Sequence, residues 1–415
     1  MVLNVNPRLC LLCRGAKELC GYAYCPMIAK YTALLKIKSV ISRREFFCSS
    51  PPSVFVGRYG YPVVSAGPLA PPLTGDTSVY DLPERWLSIS LEEVLNYRLS
   101  LISARGRVKV KDVRRSRLIS SLQELVLSLR PVDVEVKLLK PPRPAIELSE
   151  YQAPMGPKAP LKEFKVVSSG SYVRQLEYVY GDTDLGATEA IIKLYRSGIP
   201  VTHIQRMLSV GALGRGKYRK LVPTRWAITA VDQVISSWLI KEVRRLPLIN
   251  EYRVYVRRYS RNLFLTVLIP GRWSFEWMEA WYPNSTWNPS SNGVAVEGDY
   301  EGFRGRTTYP SIGGCYYAAR LATAEHLINM GRQATAVALR EIYPGFKVPI
   351  GVWFVRENLR YMYSKGPVLK TQSFREVLDF LDEHTDLGAR RWVKESYLLK
   401  SSTLRTLMDY LGWRN

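Results

Sequence analysis

Apolar residues recur along this chain at spacings that separate helices from strands. Between 88 and 103, Leu91, Val94, Leu95, Leu99 and Ile102 fall three or four residues apart. That spacing lines one face of a helix, with Ser88 or Ser90 as its N-cap. Residues 185–197, LGATEAIIKLYRS, repeat the pattern and stop at Gly198 and Pro200, with Asp184 placed to cap the first turn. A helical pattern also covers 315–342, weakened at Gly331, and FREVLDFLDEH and the last segment read the same way. Strand signals are fewer. EYRVYVRRYSRNLFLTVLIPG alternates, turns at Ser260-Arg261-Asn262 and continues as an apolar arm, which predicts a hairpin. SVFVGR reads as a short strand, and the proline-dense stretch 141–160 as an extended crossover.

Strands and helices in this mixture predict an α+β fold. PNSTWNPSSNG, 283–293, is eleven residues of almost pure turn chemistry and reads as a domain boundary. The expected organisation is a four-cysteine finger at 1–35 and a larger basic α+β domain at 36–285. A C-terminal α+β domain, largely helical, follows at 290–400, and a tail at 402–415. PMIAKYTALLKIKSVI, with apolar residues at helical intervals, would pack the finger onto the mixed α/β body.

Charge changes the picture most. Fifty-nine Lys and Arg against thirty-six Asp and Glu leave +23 on 415 residues, a field that attracts polyanions and nucleic acid above all. No apolar run approaches the ~18 residues of a membrane span, and no basic amphipathic helix stands out, so a membrane partner is not expected. The first residues lack the layout of a signal peptide, and the clustered cysteines suit a reducing interior, so the expected location is cytoplasmic.

CLLCRGAKELCGYAYC carries four of the six cysteines within sixteen residues. Cys10, Cys13, Cys20 and Cys25 form two short knuckles that can present four thiolates to one tetrahedral Zn²⁺. An iron–sulfur cluster is the rival, because Pro26 follows the fourth cysteine, but the other spacings do not match ferredoxin runs. The zinc would be structural.

Two basic stretches could grip a phosphate backbone. RGRVKVK places Arg105, Arg107, Lys109 and Lys111 on one strand face, with Val108 and Val110 opposite. Their pitch of roughly 6.8 Å is close to the phosphate spacing along one strand. GALGRGKYRKLVPTRW sets glycines beside Arg215, Lys217, Arg219, Lys220 and Arg225, with Tyr218 and Trp226 offering faces for base stacking. Its start superficially fits a phosphate loop, but Tyr218 stands where a magnesium-binding hydroxyl belongs. GRYGYP, with Arg58, Tyr59 and Tyr61, repeats the mixture more weakly. A solvated basic surface would use the same residues.

VAVEGDYEG would put Glu297, Asp299 and Glu301 on one strand face. Three converging carboxylates could hold Mg²⁺ or Mn²⁺ for phosphodiester cleavage, making a metal-dependent nuclease acting on damaged or branched DNA the alternative function. Arg304 and Arg306 could equally neutralise them as ion pairs. An RNA- or ribosome-associated role is a third reading, because charge alone does not separate the two nucleic acids.

The cysteine cluster, FVGRYGYP, YGDTDLGATEA, GRGKYRKLVPTRWAITAVD and YYAARLA run in order over nearly the whole chain. Together they resemble the archaeal Nre family of DNA repair proteins. The resemblance implies repair of DNA damage, a finger-bearing N-terminal region, and a C-terminal peptide that binds the replication sliding clamp. It supplies no catalytic residues. In LRTLMDYL, Leu407 takes the peptide's aliphatic position and Tyr410 and Leu411 its bulky plug, while Leu404 stands where Gln is expected. Leu cannot make that Gln's polar contacts, so clamp binding on the order of micromolar is expected. The alternative is that Leu404, Leu407, Met408 and Leu411 cover the protein's own core.

One zinc per chain is expected on the cysteine cluster, worth roughly 10–16 kcal/mol to a small finger. Elemental analysis checks this, and iron with labile sulfide would overturn it. Replacing Cys13 with Ser should release the metal and leave most of the far-ultraviolet circular dichroism intact.

Overall fold

The computed structural model describes residues 43–143, 147, 149–168, 172–288, 292–346 and 349–410, with Leu12, Cys13, Cys25 and Leu35, and side chains through Thr403. Cys10 and Cys20, and with them the expected finger, lie outside the described residues, as do most of PMIAKYTALLKIKSVI and Leu411. The described chain is α+β, in two compact units. One holds 43–235 with 350–353, and the other 236–349 with 354–410.

The first unit is built on a six-stranded sheet. Its strands are β1 (Glu45–Ser50), β2 (Val54–Val56), β3 (Val63–Ala70), β4 (Ile102–Lys109), β5 (Val132–Leu138) and β6 (Lys158–Val166), in the order β1-β5-β6-β4-β3-β2. Only β4 and β6 run parallel. In β5 the period of two is plain: Val132, Val134, Val136 and Leu138 are buried, while Asp133, Glu135 and Lys137 face outward. Helix α1 (Leu91–Ser100) starts with a capping box. Ser90 Oγ accepts from the Glu93 amide at 3.1 Å, and the Glu93 carboxylate accepts from the Ser90 amide at 3.0 Å. Val94, Leu95 and Leu99 are its buried face, and Ile102 belongs to β4.

Helices α2 (Arg117–Leu125), α3 (Arg174–Gly181), α4 (Ala187–Arg196) and α5 (Val201–Ser209) complete this unit. The expected cap of α4 is corrected. Gly186 is the N-cap, and the Glu189 carboxylate accepts from its amide at 3.4 Å. Asp184 lies two residues too early. Its own amide and that of Leu185 are held by the Asp182 carboxylate at 3.1 and 3.0 Å, an Asx turn.

A buried charge cluster joins four segments of this unit. Asp81 lies 2.6 Å from the guanidinium of Arg98 on α1 and 2.9 Å from that of Arg206 on α5. The Ser53 hydroxyl donates to the same carboxylate. Arg98 also donates to the Pro154 carbonyl at 2.9 Å, and Arg206 to that of Pro52 at 3.1 Å. Burial opposes ionisation of Asp81, but Arg206, Arg98 and Ser53 outweigh it and hold the carboxyl below its ordinary range.

Helix α6 (Thr224–Val243) carries the chain from the first unit's sequence into the second's. The second unit has strands β7 (Tyr252–Tyr259), β8 (Asn262–Ile269), β9 (Ser274–Trp281), β10 (Ala295–Glu301), β11 (Thr335–Ile342) and β12 (Leu369–Thr371). Their order is β10-β9-β11-β8-β7-β12, with only β9 and β11 parallel. The predicted hairpin is β7–β8. Its two-residue turn, Ser260-Arg261, has φ of 49° and 57°, the twist that suits a tight hairpin. β8 is buried along its length because both faces are covered. Leu265, Val267 and Ile269 pack with Val377, Leu381, Trp392 and Leu399, whereas Phe264 and Thr266 meet Phe354 and Tyr363.

One expectation changes here. The helix expected over 315–342 is α7 (Gly314–Met330), closed by Gly331 at φ 63°, and TAVALREI beyond it is β11. Buried between β8 and β9, β11 is covered on both faces, so its run does not reveal its period. The turn-rich 283–293 joins β9 to its hydrogen-bonded neighbour β10 inside the second unit, while the division into compact units falls at Ile235/Ser236.

Four helices close the unit: α8 (Trp353–Ser364), α9 (Phe374–His384), α10 (Ala389–Glu395) and α11 (Tyr397–Tyr410). Glu276 of β9 caps α11, accepting from the Ser396 hydroxyl at 2.5 Å and from the amides of Tyr397 and Leu398 at 2.8 and 3.0 Å. The expected tail from 402 therefore continues α11 as far as Tyr410. Among the described residues, no helix is long and apolar enough to cross a membrane.

Replacing Asp81 with Asn strands two buried guanidinium groups, and a loss of about 3–5 kcal/mol is expected in urea unfolding followed by tryptophan fluorescence. Because its folded carboxyl is depressed, Asp81 contributes fully above its unfolded value of about 4 and loses that contribution as pH falls through the folded value. Asp81→Asn should remove this part of the acid-side decline.

Candidate nucleic-acid interface

β4 ends in alternation. Val108 and Val110 are buried, and Arg107, Lys109 and Lys111 project into solvent from the other side, as the spacing predicts. Arg105 departs from the row. Its guanidinium lies 4.2 Å over the Phe55 ring and bonds Glu147 at 2.6 Å, which Lys158 also reaches at 2.9 Å. Burial opposes ionisation of Glu147, but these two cations keep its carboxyl below the usual range. Arg105 is therefore spent on its own fold, and the outward row is Arg107, Lys109 and Lys111.

The turn 57–62 between β2 and β3 comes up beside this row. Val63 pairs with Lys109 across the sheet, and the Val110 amide donates to the Pro62 carbonyl at 2.9 Å. Gly60 sits at φ 81°, where a Cβ would meet the Val63 carbonyl at 2.8 Å and come within 3.8 Å of Arg107 Nη2. Arg58 lies 4.8 Å over the ring of Tyr59, which is 82% exposed.

The stretch 211–223 is delivered to the same place by α5. Gln123 on α2 donates to the carbonyls of Val210 and Gly211 at 3.0 and 3.3 Å, fixing where the loop leaves the helix. The Leu221 amide then bonds the Val110 carbonyl at 2.9 Å, laying the loop against the end of the cationic strand. Arg219 turns inward, donating to the carbonyls of Gly214 at 2.7 Å and Asp182 at 3.0 Å. Arg225 stacks 3.5 Å over Tyr151. Both are scaffolding. Arg215, Lys217 and Lys220 point outward, as does Tyr218, 66% exposed. Trp226, 46% exposed, meets Tyr61, 45% exposed, with centroids 5.6 Å apart. Among the described residues, no carboxylate forms an ion pair with Arg107, Lys109, Lys111, Arg215, Lys217 or Lys220.

Next to this surface opens a cleft of about 530 Å³ lined by Arg114, Thr183, Asp184, Arg215, Gly216 and Lys217. The Gly216 amide donates to the Thr183 carbonyl at 2.7 Å, and a Cβ there would lie 2.4 Å from Arg114 Nη2. The stretch is not a phosphate loop: α5, not a strand, precedes it, and α6 starts only at Thr224. Arg114 and Thr183 escape a reading of the sequence. KDVRRSR extends the basic row past Lys111, but nothing local shows that Arg114 curls toward Gly216.

The carboxylate row takes the ion-pair arrangement that Arg306 was expected to offer, with Arg320 in place of Arg304. Glu297 is exposed, Asp299 is bound by Arg306 at 2.7 Å and by the Ser311 amide at 2.9 Å, and Glu301 is buried against Arg320 at 2.7 Å and Trp273 Nε1 at 3.2 Å. Arginines have taken two of the three, so the row presents no converging metal ligands. Among the described residues, no group of three or more His, Cys, Asp or Glu side chains could hold a metal ion. Of the four clustered cysteines, Cys13 is buried and Cys25 half-buried. His203 and His326 are core residues, bonded to the Val126 carbonyl and the Tyr255 hydroxyl, and burial pushes them down to about 3 and about 4.

Residues 19–288 match the model of the archaeal Nre N-terminal region and 301–410 that of the archaeal Nre C-terminal region, the two meeting at the turn-rich stretch between β9 and β10. The chain is 48% identical to the DNA repair protein NreB of Archaeoglobus fulgidus over 402 residues, 97% of this chain and 100% of that one. It is 35% identical to the DNA repair protein NreA of the same organism over 405 residues, 97% and 99% of the two chains. With the DNA repair protein NreA of Haloferax volcanii it shares 34% over 345 residues, 80% and 81% of the two. No solved structure matches it. With family matches over both regions and relatives this close over almost its whole length, the chain belongs to the archaeal Nre family.

Proposed function

We propose that this protein is a DNA repair factor that holds DNA on the surface formed by β4, the 57–62 turn and the 211–226 stretch. The observation that carries the reading is convergence. Three stretches far apart in sequence bring Arg58, Arg107, Lys109, Lys111, Arg215, Lys217 and Lys220 together with Tyr59, Tyr61, Tyr218 and Trp226. Exposed cations neutralise phosphates, and neighbouring aromatic faces accept unstacked bases, so the surface suits duplex joined to single strand. The relatives named as DNA repair proteins support the same reading. Binding is favoured over nuclease chemistry because Asp299 and Glu301 are already bonded to arginines. Recruitment by the sliding clamp through 402–415 and structural zinc on the four cysteines complete the proposal.

Fluorescence anisotropy against salt tests it. Duplex affinity should fall with a log–log slope of about −0.9 per neutralised phosphate, and Lys109→Ala with Lys111→Ala should reduce that slope by roughly two. Trp226→Ala should weaken single-strand binding by about 1–3 kcal/mol. A flat salt dependence, or structured RNA that displaces DNA, would overturn the assignment. For the tail, deletion of 402–415 should abolish a micromolar clamp interaction measured by calorimetry and leave DNA affinity unchanged. A fall in melting temperature, with clamp binding undetectable before deletion, would make the tail part of the fold.

A further inference from the structure

The cleft shares Arg215 and Lys217 with the cationic surface but adds Arg114, Thr183 and Asp184 to them. The surface is an open row, suited to phosphodiesters passing along it, each carrying a single charge. The cleft is a shallow, half-open depression of about 530 Å³ that brings together two guanidinium groups and an ammonium from separate segments: Arg114 after β4, and Arg215 and Lys217 from the loop after α5. Gly216 lets Arg114 approach the loop backbone, since a Cβ at that position would lie 2.4 Å from its Nη2. Among the described residues, these three cations have no ion-pair partner, although Asp184 lines the same cleft.

Asp184 narrows the ligand. A bare dianion entering the cleft would face a carboxylate as well as three cations. A nucleotide presents both kinds of group: a phosphate for the cations, and sugar hydroxyl or base amine donors for Asp184 and the Thr183 hydroxyl. The volume lies within the range of small-molecule sites and accommodates one nucleotide. Tyr218, exposed and next to Lys217 with the ammonium 5.0 Å from its ring centroid, offers a face for the base. A terminal phosphomonoester carries about −1.5 to −2 at neutral pH and can turn end-on into a pocket, which an internal phosphodiester flanked by two sugars cannot.

Resting on the DNA-binding reading, we infer that this cleft receives the phosphorylated terminal nucleotide of a DNA strand, so that the protein distinguishes broken strands ending in phosphate from continuous DNA. The shared chemistry with a free nucleoside monophosphate is plain, and the strand end is favoured because the cleft adjoins the cationic row that would hold the rest of the strand.

The test uses the full-length protein and four fluorescent DNAs of one sequence: a duplex closed by hairpins, the same duplex nicked with hydroxyls on both sides, and two nicked duplexes with a terminal phosphate on the 5′ or on the 3′ side. One phosphate position should bind at least about tenfold tighter than the hydroxyl nick, as two or more charge-assisted bonds would give. In Arg114→Ala the ratio of phosphate to hydroxyl affinity should collapse toward one, and Arg114→Lys should restore part of it. Each ratio is internal to one variant, so a general loss of binding or folding cannot imitate this result. Equal affinity for phosphate and hydroxyl nicks, with the closed duplex still bound, would overturn the strand-end inference and leave the DNA-binding reading standing. No binding to any of the four would sink both. Deoxynucleoside monophosphate that binds the cleft more tightly than the phosphorylated nick, in competition, would also overturn it and make the cleft a free-nucleotide site.

Discussion

Asp81 lies sealed from solvent between Arg98 and Arg206, and much of the first unit is arranged around that fact. A carboxylate and two guanidinium groups are stable in a protein interior only when every remaining donor and acceptor is also met. Ser53, Pro52 and Pro154 supply those partners, which ties the turn before β2, the 78–81 turn, α1 and α5 to one point. α5 in turn launches the basic loop. Through Gln123 and the Leu221 amide, that loop is set against the end of β4. The placement of an exposed cationic surface thus depends on charges that never meet solvent.

Arginine does two kinds of work in this protein, and its count alone does not separate them. Arg98, Arg206, Arg320 and Arg340 are buried and matched to carboxylates. Arg105, Arg219 and Arg225 are partly covered, occupied by Glu147, by loop carbonyls and by Tyr151. The outward cations of β4 and the 211–226 stretch belong to neither group, since no carboxylate pairs with them among the described residues.

Local patterns were legible and long-range ones were not. The caps and stripe of α1, the hairpin at Ser260-Arg261 and the alternation of β4 follow from spacing, because each is decided by neighbours in sequence. The strand after Gly331 escaped because a strand covered on both faces shows no period. Each basic stretch was visible alone, yet their meeting rests on pairings such as Val63 with Lys109 and Leu221 with Val110. For Glu297, Asp299 and Glu301 the pairing of Asp299 with Arg306 was readable from neighbours in sequence, whereas Arg320, which holds Glu301, lies on α7 and was not.

Glu276 holds the base of α11, and the helix then continues to Tyr410 without a break. At 1.5 Å per residue, its fourteen residues extend about 21 Å. A helix does not fold back on itself as a loose chain can, so its far end stands at a reach from β9 that the rise per residue sets.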